Sequence, residues 1–543
     1  MNKKVCSFPI LFALLALLIG TCAVVFPASA QAAPTSTGSI TVSGTVASSY
    51  DAYQIFSANV VDGDNDAKIA TDLAWASDAA RDAALPVLHS AGMPNSQTTA
   101  QEAAEWLNAD SHLTSALSAQ LARSLQSSGA VFVALNAGTA AELPCGYWLI
   151  VADDDAIAQD EAGTAPIMAL VGGSAVTVKP KAATPKVAKH VLEDSTAAWQ
   201  KAADATVADD LYWRLSATVP AGLSAYDTYA VQFVDTMSAG LDPSKVAASM
   251  RVCVAAGADG GFDAVQTGKD GRVGTEPAKG WTDITGQCRV SADGKTFTVR
   301  TGDLIAALGG ADAFAAGARV VAVYNAPLNS ACNHGIAKGN PNEVYLRYPR
   351  SPFADQSGDA GFTRTPSDDA CAYTWDLALT KRGSDGDKPL AGAVLSIADD
   401  RGRTLAADGA WDAEGKATVT TGEDGRVTVS GVDSGKLEVR ELKAPKGYTA
   451  FEGTRSVTVK AEGLDVDQVA AAKPKLTITA ESPLRADSAD GSTGSLEASL
   501  INTPTGTPLA LPPEALCPRL AIWQCTPRPP QRSPEPHSSW SRS

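Results

Sequence analysis

The stretch LEVRELKAPKGY, Leu437 to Tyr448, sets the reading of the chain. Leu437, Val439 and Glu441 alternate with Glu438 and Arg440 at the period of a strand, so they share one face. Pro445 and Gly447 then mark a turn. If that face is inward the carboxyl is buried with it, which is costly unless the acid is protonated or partnered. A carboxylic acid held neutral among apolar side chains can hydrogen-bond an amide carbonyl, polarise it and pass protons while an amine attacks. The chain supplies both reactants. Upstream, TWDLALTKRGSDGDKPLAGAVL places Lys381 at the end of a strand, and downstream LEASLINTPTG places Asn502 at the end of another.

These residues carry a family resemblance. LEVRELKAPKGY resembles the E-box of Gram-positive major (backbone) pilins, whose pattern is YxLxETKAPxGY. The stretch from TKRGSDGDKPLAGAVL to DGRVTVSGVDSGKLEVREL is similar to the collagen-adhesin B-type domain of that isopeptide-forming family. The resemblance implies an intramolecular isopeptide bond between Lys381 and Asn502 with Glu441 as its catalyst. It also implies a mainly β fold of tandem immunoglobulin-like sandwiches, the N-terminal one with added helices.

With 543 residues the chain is long enough for several domains. A net charge of -16 and no basic patch argue against nucleic-acid binding. Residues 1–30 read as a secretory signal: Lys3 and Lys4, an apolar run from Phe8 to Val25, then Ala28-Ser29-Ala30 as a small-residue cleavage site. Cys6 and Cys22 leave with the signal, and the remaining cysteines meet an oxidising compartment.

The first domain is expected over 37–180. GSITVSGTV and SYDAYQIFSANVV alternate as strands, and two helical stretches follow. In the clearer one Leu113, Leu117, Leu121 and Leu125 recur on one face, with Asp110 or Ser111 as cap and Gly129 past the end. GYWLIVADD returns to the sheet, and Cys145 reads as a buried small residue. VTVKPK at the next junction is similar to the pilin motif VxVYPK, which implies Lys181 as the amine that links one subunit to the next. Lys179 and Lys186 are the next candidates.

A middle domain is expected over 185–362, where Lys189 in PKVAKHV and Asp235 in VQFVDTMSAGL match the lysine and the acid of the pilin pattern. The asparagine of that pattern belongs at 348–352, but YPRSP offers Arg350 and Ser351, while Asn340 and Asn342 come before the expected strand. The expectation is an ionic Lys189–Asp235 pair and no bond here. Cys253 with Cys288, and Cys332 with Cys371, are the disulfide candidates, other connectivities being equally permitted by sequence.

The last domain is expected over 371–505. Beyond it, 506–543 is rich in Pro and Ser without periodicity, as in a disordered tail. LALPPEAL there begins like a sorting signal, but Glu514 stands where threonine should be, so the expectation is export without wall anchoring by this tail.

No HExxH, P-loop or GxSxG is present, and no cofactor or metal is expected. The resulting expectation is a secreted, cell-surface subunit of a sortase-assembled pilus, stiffened by isopeptide cross-linking and partnered by other pilin subunits and a sortase. The alternative is an adhesin that binds a host matrix ligand.

Overall fold

The computed structural model describes residues 36–64, 67–109, 112–163, 165–180, 184–268 and 272–506. The chain is mainly β, and its sheets fall into three successive groups along the sequence.

In the first group the strand Ser49–Asp62 is central. It pairs on one edge with Lys68–Trp75 and Phe132–Asn136 and on the other with Gly146–Ala152, which in turn pairs with Ile167–Val171. Both faces of this sheet are covered, so Gly146–Ala152 is buried at every position rather than at every second one. One face carries helices; the other carries a small sheet of Thr37–Val42 between Ala140–Pro144 and Val176–Val178. Three helices form where the sequence pattern indicates two: Asp78–Ser90, Ala100–Asn108 and Ser115–Ser127. The nine-residue middle one is short, and its start is fixed by a capping box in which Thr99 and Glu102 satisfy each other's backbone N–H groups. The leucine-striped helix buries Leu117, Leu121 and Leu125 as expected. Thr114 caps it by accepting from Leu117 N, so Leu113 lies before the helix, and Asp110 and Ser111 lie outside the described residues.

The second group is a sandwich of a six-strand and a seven-strand layer, the seventh strand, Phe362–Arg364, pairing with Asn340–Pro349 beside the main order. One layer runs Ala198–Gln200, Lys186–Glu193, Tyr212–Val219, Ala318–Asn325, Arg251–Ala256, Thr282–Asp283. The other runs Ala202–Asp204, Asp368–Tyr373, Asn340–Pro349, Gln232–Met237, Thr296–Arg300, Arg289–Asp293. Trp213, Leu215, Phe233, Phe297, Val320, Val344 and Leu346 fill the space between them. The strand Asn340–Pro349 begins earlier than the sequence pattern suggests, and Asn340 and Asn342 are inside it, not before it.

The third group is again two layers. Trp375–Gly383 lies between Arg426–Val432 and, in parallel, Ser495–Pro504. Facing it, Gly435–Lys443 lies between Val394–Ala398 and Thr454–Glu462. Leu437, Val439 and Glu441 point inward together, while Lys436, Glu438 and Arg440 are exposed. Tyr448 N closes the following turn on Pro445 O, and Gly447 takes φ +86°, a conformation that an L side chain resists.

The expected disulfides are not made: Cys253, Cys288, Cys332 and Cys371 are all free thiols. Cys253 packs in a small cluster with Val265, Val321 and Val323, whereas Cys288 packs against the main core of the same sandwich. Cys332 belongs to the second group's core and Cys371 to the third's.

Candidate functional site

Two buried groups of amine, acid and amide stand out, one in each sandwich. In the third group, parallel pairing sets Lys381 opposite Leu500 and Gly383 opposite Asn502. Alternation then sends both the lysine and the asparagine side chain to the core, where Lys381 is 0% and Asn502 2% exposed. Glu441 meets them from the facing sheet. Lys381 Nζ is 3.6 Å from Glu441 Oε1 and donates to Leu500 O at 3.1 Å. Asn502 Nδ2 donates to both carboxyl oxygens, at 2.9 and 3.0 Å, and Phe451 N donates to Oε2 at 3.1 Å. Burial pulls the Lys381 amine down to about 8, against the opposing pull of Glu441. Asn502 Oδ1 is buried without a partner. Turning that amide over about Cβ–Cγ would aim its carbonyl at the acid, the orientation in which a protonated carboxyl polarises it.

In the middle sandwich Lys189 and Asp235 are fully buried, and Lys189 Nζ donates to Asp235 Oδ2 in a very short contact. Tyr324 OH accepts from Nζ at 2.9 Å and donates to Asp235 Oδ2 at 3.0 Å. Asn342, itself fully buried, donates from Nδ2 to Tyr324 OH at 2.8 Å. Register explains the meeting. Asp235 pairs with Val344 and Met237 with Asn342, so the acid and the amide are one inward step apart on neighbouring strands. Burial lowers the Lys189 amine to about 8, and burial raises the Asp235 carboxyl above its ordinary range despite the lysine beside it. Both shifts narrow the gap between amine and acid and so ease the passage of a proton from Lys189 to Asp235. Trp213 and Tyr324 rings stand 5.5 and 5.4 Å from Nζ and exclude water. Asp235 Oδ1 and Asn342 Oδ1 are buried and unpartnered.

Asn342, expected before the strand, lies inside it and reaches the Tyr324 hydroxyl that also contacts Lys189. Arg350 turns away, with its Nη1 donating to Asp154 O at 3.4 Å, and Ser351 Oγ accepts from Phe353 N. Tyr324 went unremarked in the sequence. Its signal is the run Val320, Ala322, Tyr324 on one buried face of a strand, where the tyrosine brings the only hydroxyl. Lys181 lies outside the described residues.

Residues 376–473 match the family described as the SpaA prealbumin-like fold domain, a span that includes Lys381 and Glu441. The chain is 30% identical over 143 residues to the trypsin-resistant surface T6 protein of Streptococcus pyogenes serotype M6. That match covers 25% of this chain and spans about a quarter (24%) of the relative's length. Among solved structures, the T6 backbone pilin of Streptococcus pyogenes serotype M6 is 17% identical with a TM-score of 0.46, over 87% of this chain and 98% of that one. The major pilin SpaD of Corynebacterium diphtheriae is 16% identical with a TM-score of 0.41, over 86% and 98%. The chain is thus similar in sequence, over part of its length, to the T6 surface protein and to the SpaA prealbumin-like fold domain.

Proposed function

We propose that this chain is a structural subunit of a sortase-assembled pilus on a Gram-positive surface, closed on itself by two lysine–asparagine isopeptide bonds. The observation that carries the reading is the recurrence, in two successive sandwiches, of a dry lysine, acid and asparagine, the acid touching both partners in the third group and joined to the asparagine through Tyr324 in the middle one. A structural ion pair would need no amide, and three polar side chains buried together in an apolar core cost free energy unless they do something there.

The step balances simply. The neutral Nζ of Lys381 attacks Cγ of Asn502, Glu441 carries the proton from the amine to the amide nitrogen, the C–N bond breaks, and ammonia leaves. Asp235 does the same for Lys189 and Asn342, with the Tyr324 hydroxyl bridging acid and amide. Each acid acts once, on its own chain. Assembly with other subunits belongs to the same reading: a lysine at the first junction, Lys181, accepts the acyl group that a sortase carries from a neighbouring subunit.

Intact-mass measurement of the reduced mature protein tests the closure. Two bonds predict a deficit of two ammonia, with cross-linked peptides joining Lys189 to Asn342 and Lys381 to Asn502. A full-length mass with no deficit overturns it. Lys181→Ala in cells carrying a pilus sortase should abolish polymer ladders, and unchanged ladders would move the accepting role to Lys179 or Lys186.

A further inference from the structure

The loop that joins Ala318–Asn325 to Asn340–Pro349 leaves the middle sandwich and is bolted onto the third group of sheets. Gly335 N donates to Thr374 O, Ile336 N to Gly491 O and Ala337 N to Ser492 O. Within it, Cys332 Sγ stands 3.6 Å from His334 Nε2. On the other side of the ring, His334 Nδ1 lies 2.9 Å from Asp376 Oδ1, the first turn of the next domain's strand. Asp376 is itself held, accepting from Ser430 Oγ at 2.5 Å and Gly431 N at 3.1 Å. His334 Nδ1 makes no aligned hydrogen bond, so a small turn of the ring toward Asp376 completes the line from thiol to imidazole to carboxylate.

From this geometry we propose that Cys332, His334 and Asp376 form a base-assisted thiol, a modification site at the seam between the two sandwiches that takes small disulfides and soft electrophiles. The roles follow from the atoms in reach. His334 Nε2 can receive the thiol proton as sulfur attacks, and Asp376 steadies the imidazolium that results. Burial raises the Cys332 thiol above its ordinary range, so it rests protonated and depends on the imidazole for activation. With a small disulfide, Sγ attacks one sulfur, the proton passes to His334, the S–S bond breaks, and the leaving thiolate recovers the proton. The product is a mixed disulfide at Cys332, with no net change of oxidation state.

Among the described residues Cys253, Cys288 and Cys371 have no such base. Burial pushes Cys253 and Cys371 up to about 11 and Cys288 up to about 12, with no histidine among the groups that shift them. Among the described residues Cys288 nonetheless is the most exposed cysteine, Cys332 being buried. Exposure and activation therefore name different residues as first to react.

A short pulse of iodoacetamide on the full mature protein, read by peptide mass spectrometry, separates the two. Base assistance predicts labelling at Cys332 at least about tenfold faster than at Cys288. His334→Gln and Asp376→Asn should each erase that lead without changing the Cys288 rate, and dipyridyl disulfide should give the same ranking. Labelling led by Cys288, or a Cys332 lead that survives His334→Gln, overturns the proposal. Should a variant loosen the fold, Cys253 and Cys371 would accelerate too, and the ranking in the unmodified protein then decides.

Discussion

The two buried groups solve one geometric problem in opposite ways. In the third β-structure the lysine and asparagine are neighbours on parallel strands of one sheet, and the acid faces them from the other sheet. In the middle one the acid and asparagine are neighbours on antiparallel strands, and the lysine reaches across the core. The first arrangement stitches strands within a layer; the second pins the two layers together. The acid also differs in its help. Glu441 touches amide and amine directly, whereas Asp235 meets the amide through the Tyr324 hydroxyl. What matters for closure is therefore a dry amine, acid and amide within reach, and the sheet from which each comes is free to vary.

Removing both acids should break both closures. Asp235→Ala with Glu441→Ala is expected to restore the full mass. It should lower stability by about 4 to 5 kcal/mol per bond, by analogy with a disulfide closing a loop of about a hundred residues. Mass spectrometry with thermal denaturation checks it; a double variant that still lacks ammonia would mean that other groups carry the proton. The single variants sharpen the contrast. Asn342→Ala should restore one ammonia and leave the Lys381 cross-link intact, while Ser351→Ala should change nothing in the mass. If Ser351 or Arg350 appears in a cross-linked peptide, the register reading of the middle site is wrong.

That last pair of variants probes the place where sequence reasoning fell short. Leu437, Val439 and Glu441 could be placed on one face from alternation alone, because a strand's period is local and the turn after it is written in Pro445 and Gly447. Lys381 and Asn502 followed from the motif around them. Asn342 did not, because its position depends on where a strand starts and with which neighbour it pairs, and register is set by tertiary packing. The family pattern pointed to Tyr348–Pro352, at and beyond the C-terminal end of the strand, and so hid an asparagine near its start that the chain itself supplies. The sequence pattern indicates two helices where three form, and the buried stripe of Ala100–Asn108, three alanines and one leucine, is a faint one.

Two smaller effects test the chemistry of each group. Tyr324→Phe keeps the packing but removes the bridge between Asp235 and Asn342. Closure at Lys189 should slow by about ten- to a hundredfold, the range of a lost proton relay, with the Lys381 site unaffected. Timed mass sampling of newly translated chain reads both rates in one sample, and equal slowing at both sites would show a folding defect instead. Last, Asn502→Ala leaves Lys381 as a buried free amine whose folded value, about 8, is below the roughly 10.4 of an unfolded lysine. Between those values the unfolded chain binds more protons, so the stability of this variant should rise from pH 8 toward pH 10 and stay flat from pH 7 to 8. A flat profile throughout would mean that the amine has found water.

The position of Asn342 has a mechanical consequence. With both bonds closed, tension along a fibre passes from Lys189 to Asn342 and from Lys381 to Asn502, and the loops between those pairs bear none. The stretch 343–380 is bypassed by neither bond. It contains most of Asn340–Pro349, and Asp368–Tyr373, which is held by pairing with that strand and with Ala202–Asp204. Pulled free, it would add a contour of about 130 Å at ~3.4 Å per residue. In the doubly closed chain proposed above, this stretch would be one length of slack, released by breaking hydrogen bonds, between two segments that could not lengthen.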